Sequence, residues 1–480
     1  MPITLFQKTF EIKPGVLLLL LVLVGAFIRF FQLDYSSLWL DELYSMLGSD
    51  PNTTFADVYE YSKHDQPPLF FFLLHGWLKL VGNSDFSGRA LTSIFGVFGI
   101  VAIYFLGKEI KNEKLGLFAA FITTINYFHT GISKEIRFYP LVFLLVILSY
   151  LFYLRCIKKS TIIDFVCFYL STALLLNTHY YAMVVFASQI ILFIFVLIFF
   201  KRNAKLIIGG LISGGLAGLS LLHWLPIIQH DLQITQFHVE PVKPGIIFDF
   251  AWSYIKEPVS LAVYSVCIFF AGKGFYSSVK EKRFKVEHLV VLGWIFFGFI
   301  IPLLYSILKL PLLTYKYNTI TVPAFFLLIA YGFVHFNYEK IRLYSIVAVI
   351  ISSFIILFIA RPPHKPRRAE DWREVAAYFG NKHGNKSKED LIVFSQLAWF
   401  HYYYFRKNDL PLPLDQNTAD FSGILKNADE IWLLMNNRYT GGWPVNGFLP
   451  AQKEIIDKEF MLLDSIAFKQ TQALLYKRKK

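Results

Sequence analysis

Residues 16–45 read VLLLLLVLVGAFIRFFQLDYSSLWLDELYS, and the fold turns on how they are taken. From Val16 to Phe31 the chain is apolar. No small-residue cleavage site follows, so the run reads as a retained membrane span and not as a leader that is removed. Just past it stand two adjacent acids, Asp41 and Glu42, between Trp39 and Tyr44. Acids with aromatic neighbours, placed where a span should reach the headgroups, are what the rest of the sequence has to explain.

Composition agrees with a membrane reading. Of 480 residues 55% are hydrophobic and 18% aromatic, with 50 Phe, and only 17% are charged; a soluble domain carries about a quarter. Apolar runs lie near 15–33, 88–107, 115–131, 139–154, 161–177, 181–200, 206–224, 258–272, 289–308, 317–337 and 341–360. A span needs roughly 20 such residues, so the window rule predicts about eleven, with 258–272 the shortest.

The formal net charge is +13. Its bearers fall in short loops: Lys8 and Lys13; Lys108, Lys111 and Lys114; Arg155, Lys158 and Lys159; Lys201, Arg202 and Lys205; Lys273, Lys280, Lys282, Arg283 and Lys285; Lys340 and Arg342. The alternate loops are poorer in Lys and Arg. The rich set is therefore expected on the cytoplasmic side, with the N-terminus inside and, for an odd number of spans, the C-terminal region outside. Charges so scattered do not make a nucleic-acid surface, and no nucleic-acid partner is expected. Cys156, Cys167 and Cys267 show neither CxxC nor CxxH spacing and read as small apolar residues.

The organisation expected is mainly α and polytopic: residues 1–360 form a transmembrane domain, and 361–480 a small α/β domain outside the cytoplasm. Within the first, the external loop 34–87 is too long for a plain connector. Its Leu69–Leu80 is apolar over only about twelve residues, which suits an interfacial or re-entrant helix. In the tail, DWREVAAYFGNKHG reads as an amphipathic helix closed by glycine. DLIVFSQ and EIWLLMN read as buried strands.

On this topology the unusual residues gather at one face. Asp41, Glu42, His64 and Asp65 lie in the first external loop. Lys134, Glu135, Arg137 and Tyr139 lie at the turn between the third and fourth spans, and His179, Tyr180 and Tyr181 at the next external turn. Lys309, Tyr315, Lys316 and Tyr317 lie at the last. Ionisable groups at that depth are costly unless they pair or face a cavity. Plainer roles stand beside functional ones. Tyr and Trp anchor span ends, Lys309 and Lys316 can snorkel, and His64 and His179 can be hydrogen-bonded interface residues. Glu42 can cap a helix, Arg137 can satisfy Glu135, and Pro67-Pro68 can start the interfacial helix.

LWLDELYS after a first span, then HDQPPLFFFLLHGWLKLVG and SGRALTSIFG, resembles the GT-C class of membrane glycosyltransferases. More closely, the chain resembles the bacterial branch of the protein O-mannosyltransferase and aminoarabinose transferase superfamily. SKEIRFYPLVFLL resembles that family's Glu-x-Arg-x-Tyr element and NTHYYAMVVFASQ its Thr-His-Tyr-Tyr element. KYNTITVPAFFLLIAYG resembles its late Arg-Tyr span, with Lys316 where arginine is common. Many relatives have histidine before the Pro-Pro pair, and here it is Gln66.

The resemblance implies transfer of a hexose or pentose from a polyprenyl-phosphate donor to a lipid, glycan or protein hydroxyl outside the cytoplasm, in a bacterial inner membrane. The acceptor hydroxyl must lose a proton, which needs a carboxylate: Asp41, with Glu42 as second candidate and Asp65 orienting sugar or sharing the proton network. The departing phosphate needs cations: Arg137 and Lys316, with Lys134 and Lys309 in reserve. Glu135 belongs to the same element, and Tyr139, His179 and Tyr180 are placed to hydrogen-bond sugar or phosphate. One base and one displacement invert the anomeric carbon, since phosphate leaves without the protonation that glycosidases supply. Asp41, Glu42, Asp65 and the histidines could ligate a divalent ion, but no spacing demands one, and no cofactor is expected. Two other classes compete. A flippase for lipid-linked sugar explains the spans, although transporters place ionisable groups near the midplane. A glycan-binding assembly protein would use the tail aromatics Trp399, His401, Tyr402, Tyr403 and Tyr404, which equally suit a core.

Overall fold

The computed structural model describes residues 13–63, 66–231, 239–336, 338–363, 370–383, 391–436, 450–469 and 471–479. His64, Asp65 and most of the basic stop RPPHKPRR fall outside them. The protein is mainly helical with a small C-terminal sheet, as the sequence predicts. It divides into two compact units: residues 1–33 with 49–363, and Asp34–Gly48 with His364–Lys480. The stretch that carries Asp41 thus belongs with the tail.

In the first unit, α1 is Pro14–Phe30. The segment after the acids belongs to α3 (Phe55–Ser62) and α4 (Leu69–Val81), with the short α2 (Leu40–Leu47) assigned to the second unit. Next come α5 (Asp85–Ile110), α6 (Glu113–Ile125), α7 (Tyr127–Ser133), α8 (Tyr139–Lys159), α9 (Ile162–Leu176), α10 (Ala182–Phe199) and α11 (Ala204–Leu219). They are followed by α12 (Leu225–Asp231), α13 (Ile246–Ile255), α14 (Pro258–Lys280), α15 (Val286–Leu308), α16 (Val322–His335) and α17 (Glu339–Phe354). Each apolar run of the sequence lies on helix over most of its described length. Among the described residues, however, seven helices are long and apolar enough to cross a membrane, or eight if α6 and α7 count as one bent span. The protein is a multi-pass membrane protein, but the expected eleven spans are not all of spanning length. The reason lies in the caps. Thr161 accepts from the Asp164 amide to start α9, and Asn177 ends it after 15 residues; at ~1.5 Å per residue this is roughly 22 Å of helix, short of a ~30 Å hydrocarbon layer.

One break positions the site. Between α6 and α7 the axis bends by 63°. Asn126 causes it: its side-chain oxygen accepts the His129 amide at 2.8 Å, capping α7, while its Nδ2 donates to the Tyr254 carbonyl at 2.8 Å. The restarted helix ends at Ser133 and delivers residues 134–138 to the start of α8.

Buried polar pairs fix the helices around α8. Tyr150 donates to or accepts from Ser188 at 2.6 Å, Ser149 pairs with Thr172 at 2.8 Å, and Gln189 Nε2 donates to Ser149 at 2.8 Å. Such bonds tie helices where apolar contact alone gives no preference over lipid. Trp294 stacks on Tyr150, with centroids 3.8 Å apart, and donates to the Ile320 carbonyl. Helices α14 and α16 approach most closely at Gly332, where an added Cβ would lie 1.9 Å from the Cys267 carbonyl oxygen. Gly332→Ala is therefore expected to lower the thermal midpoint in detergent, by about 1–3 kcal/mol of stability. Gly272→Ala, with nothing within 4 Å, should not; equal midpoints would show that the crossing is not tight.

The tail unit adds α18 (Trp372–His383), α19 (Ala398–Lys407), α20 (Phe421–Lys426) and α21 (Pro450–Glu459) to a five-stranded sheet. Its strands are β1 (Ile392–Ser395), β2 (Leu414–Asp415), β3 (Glu430–Asn436), β4 (Phe460–Ala467) and β5 (Thr471–Arg478), in the order β2-β1-β3-β5-β4. β1 runs parallel to β2 and β3, and β5 antiparallel to β3 and β4. Period-2 alternation fills both faces: Phe394, Ile431, Leu433 and Tyr476 pack with Phe421, Leu425 and Ile456, while Trp432 meets Phe379 with centroids 5.0 Å apart. Of the tail aromatics, His401, Tyr403 and Tyr404 are buried in the core, whereas Tyr402 is half-buried and Trp399 exposed.

Candidate active site

In the membrane unit three turns meet. Glu135 accepts a salt bridge from Lys316 at 2.8 Å. The Lys316 amine also stands 5.8 Å from the Tyr139 ring centre, and the Arg137 guanidinium 4.8 Å from that of Phe138. Phe138 packs on His179 at 4.5 Å, and His179 on Tyr317 at 5.6 Å. Tyr181 packs on Tyr317 and donates to the Leu312 carbonyl at 2.6 Å. Glu135, Arg137, Tyr139, His179 and Lys316 thus come together from parts of the chain up to 181 residues apart; Tyr180, half-buried, opens the turn into α10.

His179 is the most informative of them. It is buried, and its Nδ1 accepts the Tyr181 amide at 3.0 Å. A neutral ring must then carry its proton on Nε2. Burial, and secondarily the Arg137 charge, push its pKa down to about 3, so the ring is neutral at any working pH. Among the described residues Nε2 has no hydrogen-bond partner. A buried N–H left unsatisfied costs about 1–3 kcal/mol, and this ring lies within reach of the Arg137 charge.

Lys134 and Arg137 are three residues apart and indistinguishable by sequence, but they go different ways. The Lys134 amine donates to the Phe31 carbonyl at 2.5 Å, and burial, with Arg89 and Arg29 nearby, lowers its pKa to about 8. It serves the junction with α1. Lys309 is exposed, its amine 5.9 Å from the Tyr305 ring centre. Sequence reading missed Asn177. Its carbonyl accepts the Leu69 amide at 3.1 Å, and its side chain accepts from Trp224 at 2.9 Å and donates to Ser220 at 3.1 Å. It anchors the His179 turn to the start of α4, where Gln66 and the two prolines lead in.

In the tail unit, Asp41 and Glu42 occupy the first turn of α2. Glu42, 1% exposed, accepts the Trp39 amide at 3.2 Å and so caps its own helix. Asp41 is half-buried beside it. A third acid, unforeseen in the sequence, joins them. Glu370 is 8% exposed and accepts from the Trp372 indole at 2.5 Å and from the Leu40 amide. Burial raises its pKa to about 7; these two bonds oppose the shift, and Glu42 and Asp41 add to it.

A carboxyl raised from 4.5 to about 7 stabilises the fold fully at acid pH and loses that contribution as pH rises through about 7. His401, which burial holds down to about 3, acts oppositely, costing stability as pH falls below its usual range. The difference between wild type and Glu370→Gln isolates Glu370. Wild type is expected to lose roughly 3 kcal/mol relative to that variant between pH 5 and pH 8, read as tail melting by tryptophan fluorescence. Parallel curves would remove Glu370 from the titration.

Comparison with known proteins gives a consistent picture. Residues 65–224, which include the α4 lead-in and the Arg137 and His179 turns, match the family model described as dolichyl-phosphate-mannose-protein mannosyltransferase. No curated protein sequence matches. Among solved structures, ArnT from Cupriavidus metallidurans bound to undecaprenyl phosphate is similar over 97% of this chain and 98% of its own, with a TM-score of 0.64 at 11% identity. Its apo state gives 0.66 at 9% identity, over 96% and 98%. The archaeal oligosaccharyltransferase AglB from Archaeoglobus fulgidus, in complex with an inhibitory peptide and a dolichol-phosphate, gives 0.55 at 10% identity, over 96% of this chain and 74% of its own. The resemblance read from the motifs is borne out: a third of the chain matches that mannosyltransferase family model, and the whole has the GT-C fold of these membrane glycosyltransferases.

Proposed function

We propose that the protein is a membrane glycosyltransferase that moves one sugar from a polyprenyl-phosphate donor to an acceptor hydroxyl on the extracytoplasmic face. The observation that carries this reading is the group of Arg137, Lys316 and the unpartnered His179 Nε2–H on short turns at one end of apolar helices. A phosphate at headgroup depth needs such a set: two cations to hold its charge and a neutral donor for an oxygen. Lys316 would exchange part of its bond to Glu135 for the phosphate. Asp41 takes the acceptor proton, and Glu42 holds the start of its helix.

The other end of the same helices supports the sidedness. At the far end of α8, Lys158 bridges Glu109 and Glu287 at 2.9 and 3.2 Å, and Lys111 meets His335 at 2.9 Å. These belong to the Lys- and Arg-rich loops, which face the cytoplasm under the positive-inside rule. The Arg137 end then faces outward. Purified protein supplied with a labelled polyprenyl-phosphate sugar and an alcohol acceptor is expected to release lipid phosphate and label the acceptor. A series of such donors that all stay intact would overturn the reading.

A further inference from the structure

The tail's sequence EDWR, Glu370–Arg373, closes on the stretch that carries Asp41. Arg373 donates from Nη1 to the Asp34 carbonyl and from Nη2 to the Ser36 carbonyl, each at 3.0 Å, and its amide donates to Ser37 Oγ at 3.3 Å. Its guanidinium lies 5.9 Å from the Tyr404 ring centre. The Tyr404 hydroxyl in turn accepts the Leu38 amide at 2.8 Å. Glu370 accepts the Leu40 amide, and Trp372 holds Glu370.

We propose that Glu370, Arg373 and Tyr404 are positioning residues, which clamp residues 34–40 of the chain and so fix where the helix of Asp41 begins and which way its carboxylate points. The clamp goes beyond the reading of Asp41 as base and rests on that reading for its catalytic consequence.

The physical reason is the helix end. First-turn amides have no intrahelical acceptor, and the residues before them have none either. The Leu38 and Leu40 amides are therefore satisfied from the tail or by water. Two carbonyls held by one planar guanidinium leave residues 34–36 little freedom to rotate. A base must be held within hydrogen-bond reach of the proton it removes, and small displacements of such a group cost much of its effect.

Hydrogen exchange reads the clamp without needing turnover. In the full-length protein, Arg373→Ala is expected to speed exchange across residues 34–42 at least tenfold, while β1 and β3 keep their protection. Tyr404→Phe, which keeps the ring and removes one acceptor, should speed the Leu38 amide selectively even if Arg373→Ala folds poorly. Glu370→Gln, retaining an acceptor for Leu40, should exchange as wild type does, whereas Glu370→Ala should not. In turnover, Arg373→Ala should lower kcat at least tenfold with donor KM within twofold. Unchanged exchange in both Arg373→Ala and Tyr404→Phe would overturn the clamp; loosened residues 34–42 with normal kcat, where Asp41→Asn is inactive, would overturn its positioning role. If Asp41→Asn turns over normally the base assignment fails, and the exchange data still decide the clamp.

Discussion

Asp41→Asn is expected to remove sugar transfer, with kcat falling by ~10²–10⁴-fold, the range a general base contributes. The substitution keeps the size and shape of the side chain and takes away only its capacity to accept a proton. Stability should hardly change. Asp41 is half-buried in the first turn of α2, and Asn keeps a side-chain oxygen at the same place. Glu42 supplies the contrast. Its carboxylate accepts the Trp39 amide, a bond the amide oxygen of Gln can also accept, so Glu42→Gln should retain most of the activity. Glu42→Ala should destabilise the helix start by about 1 kcal/mol. Initial rates of lipid-phosphate release, with melting curves beside them, separate the cases. Normal turnover by Asp41→Asn would exclude it as the base, and a dead Glu42→Gln at normal stability would shift the role to its neighbour.

The two acids show why residue type and position were legible and role was not. Sequence places both just past a span, and the motif adds that one of them matters. That Glu42 caps its own helix rests on a bond to the Trp39 amide, which the sequence does not show. Glu370 could not be found at all: it is an acid ahead of a helix, as many are, and its neighbours Asp41 and Glu42 lie more than three hundred residues earlier in the chain. The membrane unit was easier, because alternating topology alone puts the turns at 134–139, 178–181 and 315–317 on one side, and the structure packs those turns together. The length of each helix was less legible. Hydropathy measures how apolar a run is, whereas Asn126, Thr161 and Asn177 decide where helices stop. It could not tell Lys134 from Arg137 either, since only the bent α6–α7 connection turns the first toward Phe31.

That difference makes Arg137 the sharper test of the phosphate reading. Arg137→Ala is expected to weaken donor binding by about 1.5–3 kcal/mol, the scale of a hydrogen bond to a charged group, or roughly 10- to 100-fold in donor KM. Acceptor KM should move less than twofold. Arg137 is 8% exposed and lies against the Phe138 ring, beside His179, so a general loss of packing has to be told apart from a lost anion contact. Arg137→Lys does this: it keeps the charge and most of the stem but cannot make a planar two-point contact. It should recover the melting temperature and only part of the donor affinity. Removing the cation also lifts its penalty on a protonated His179, although burial remains the larger cause and the ring should stay neutral. The donor defect should therefore be flat with pH above 5. It should also shrink as salt is raised, because wild type loses screened attraction that the variant no longer has. A variant that loses donor and acceptor equally, with a salt dependence like wild type, would place the lipid phosphate elsewhere.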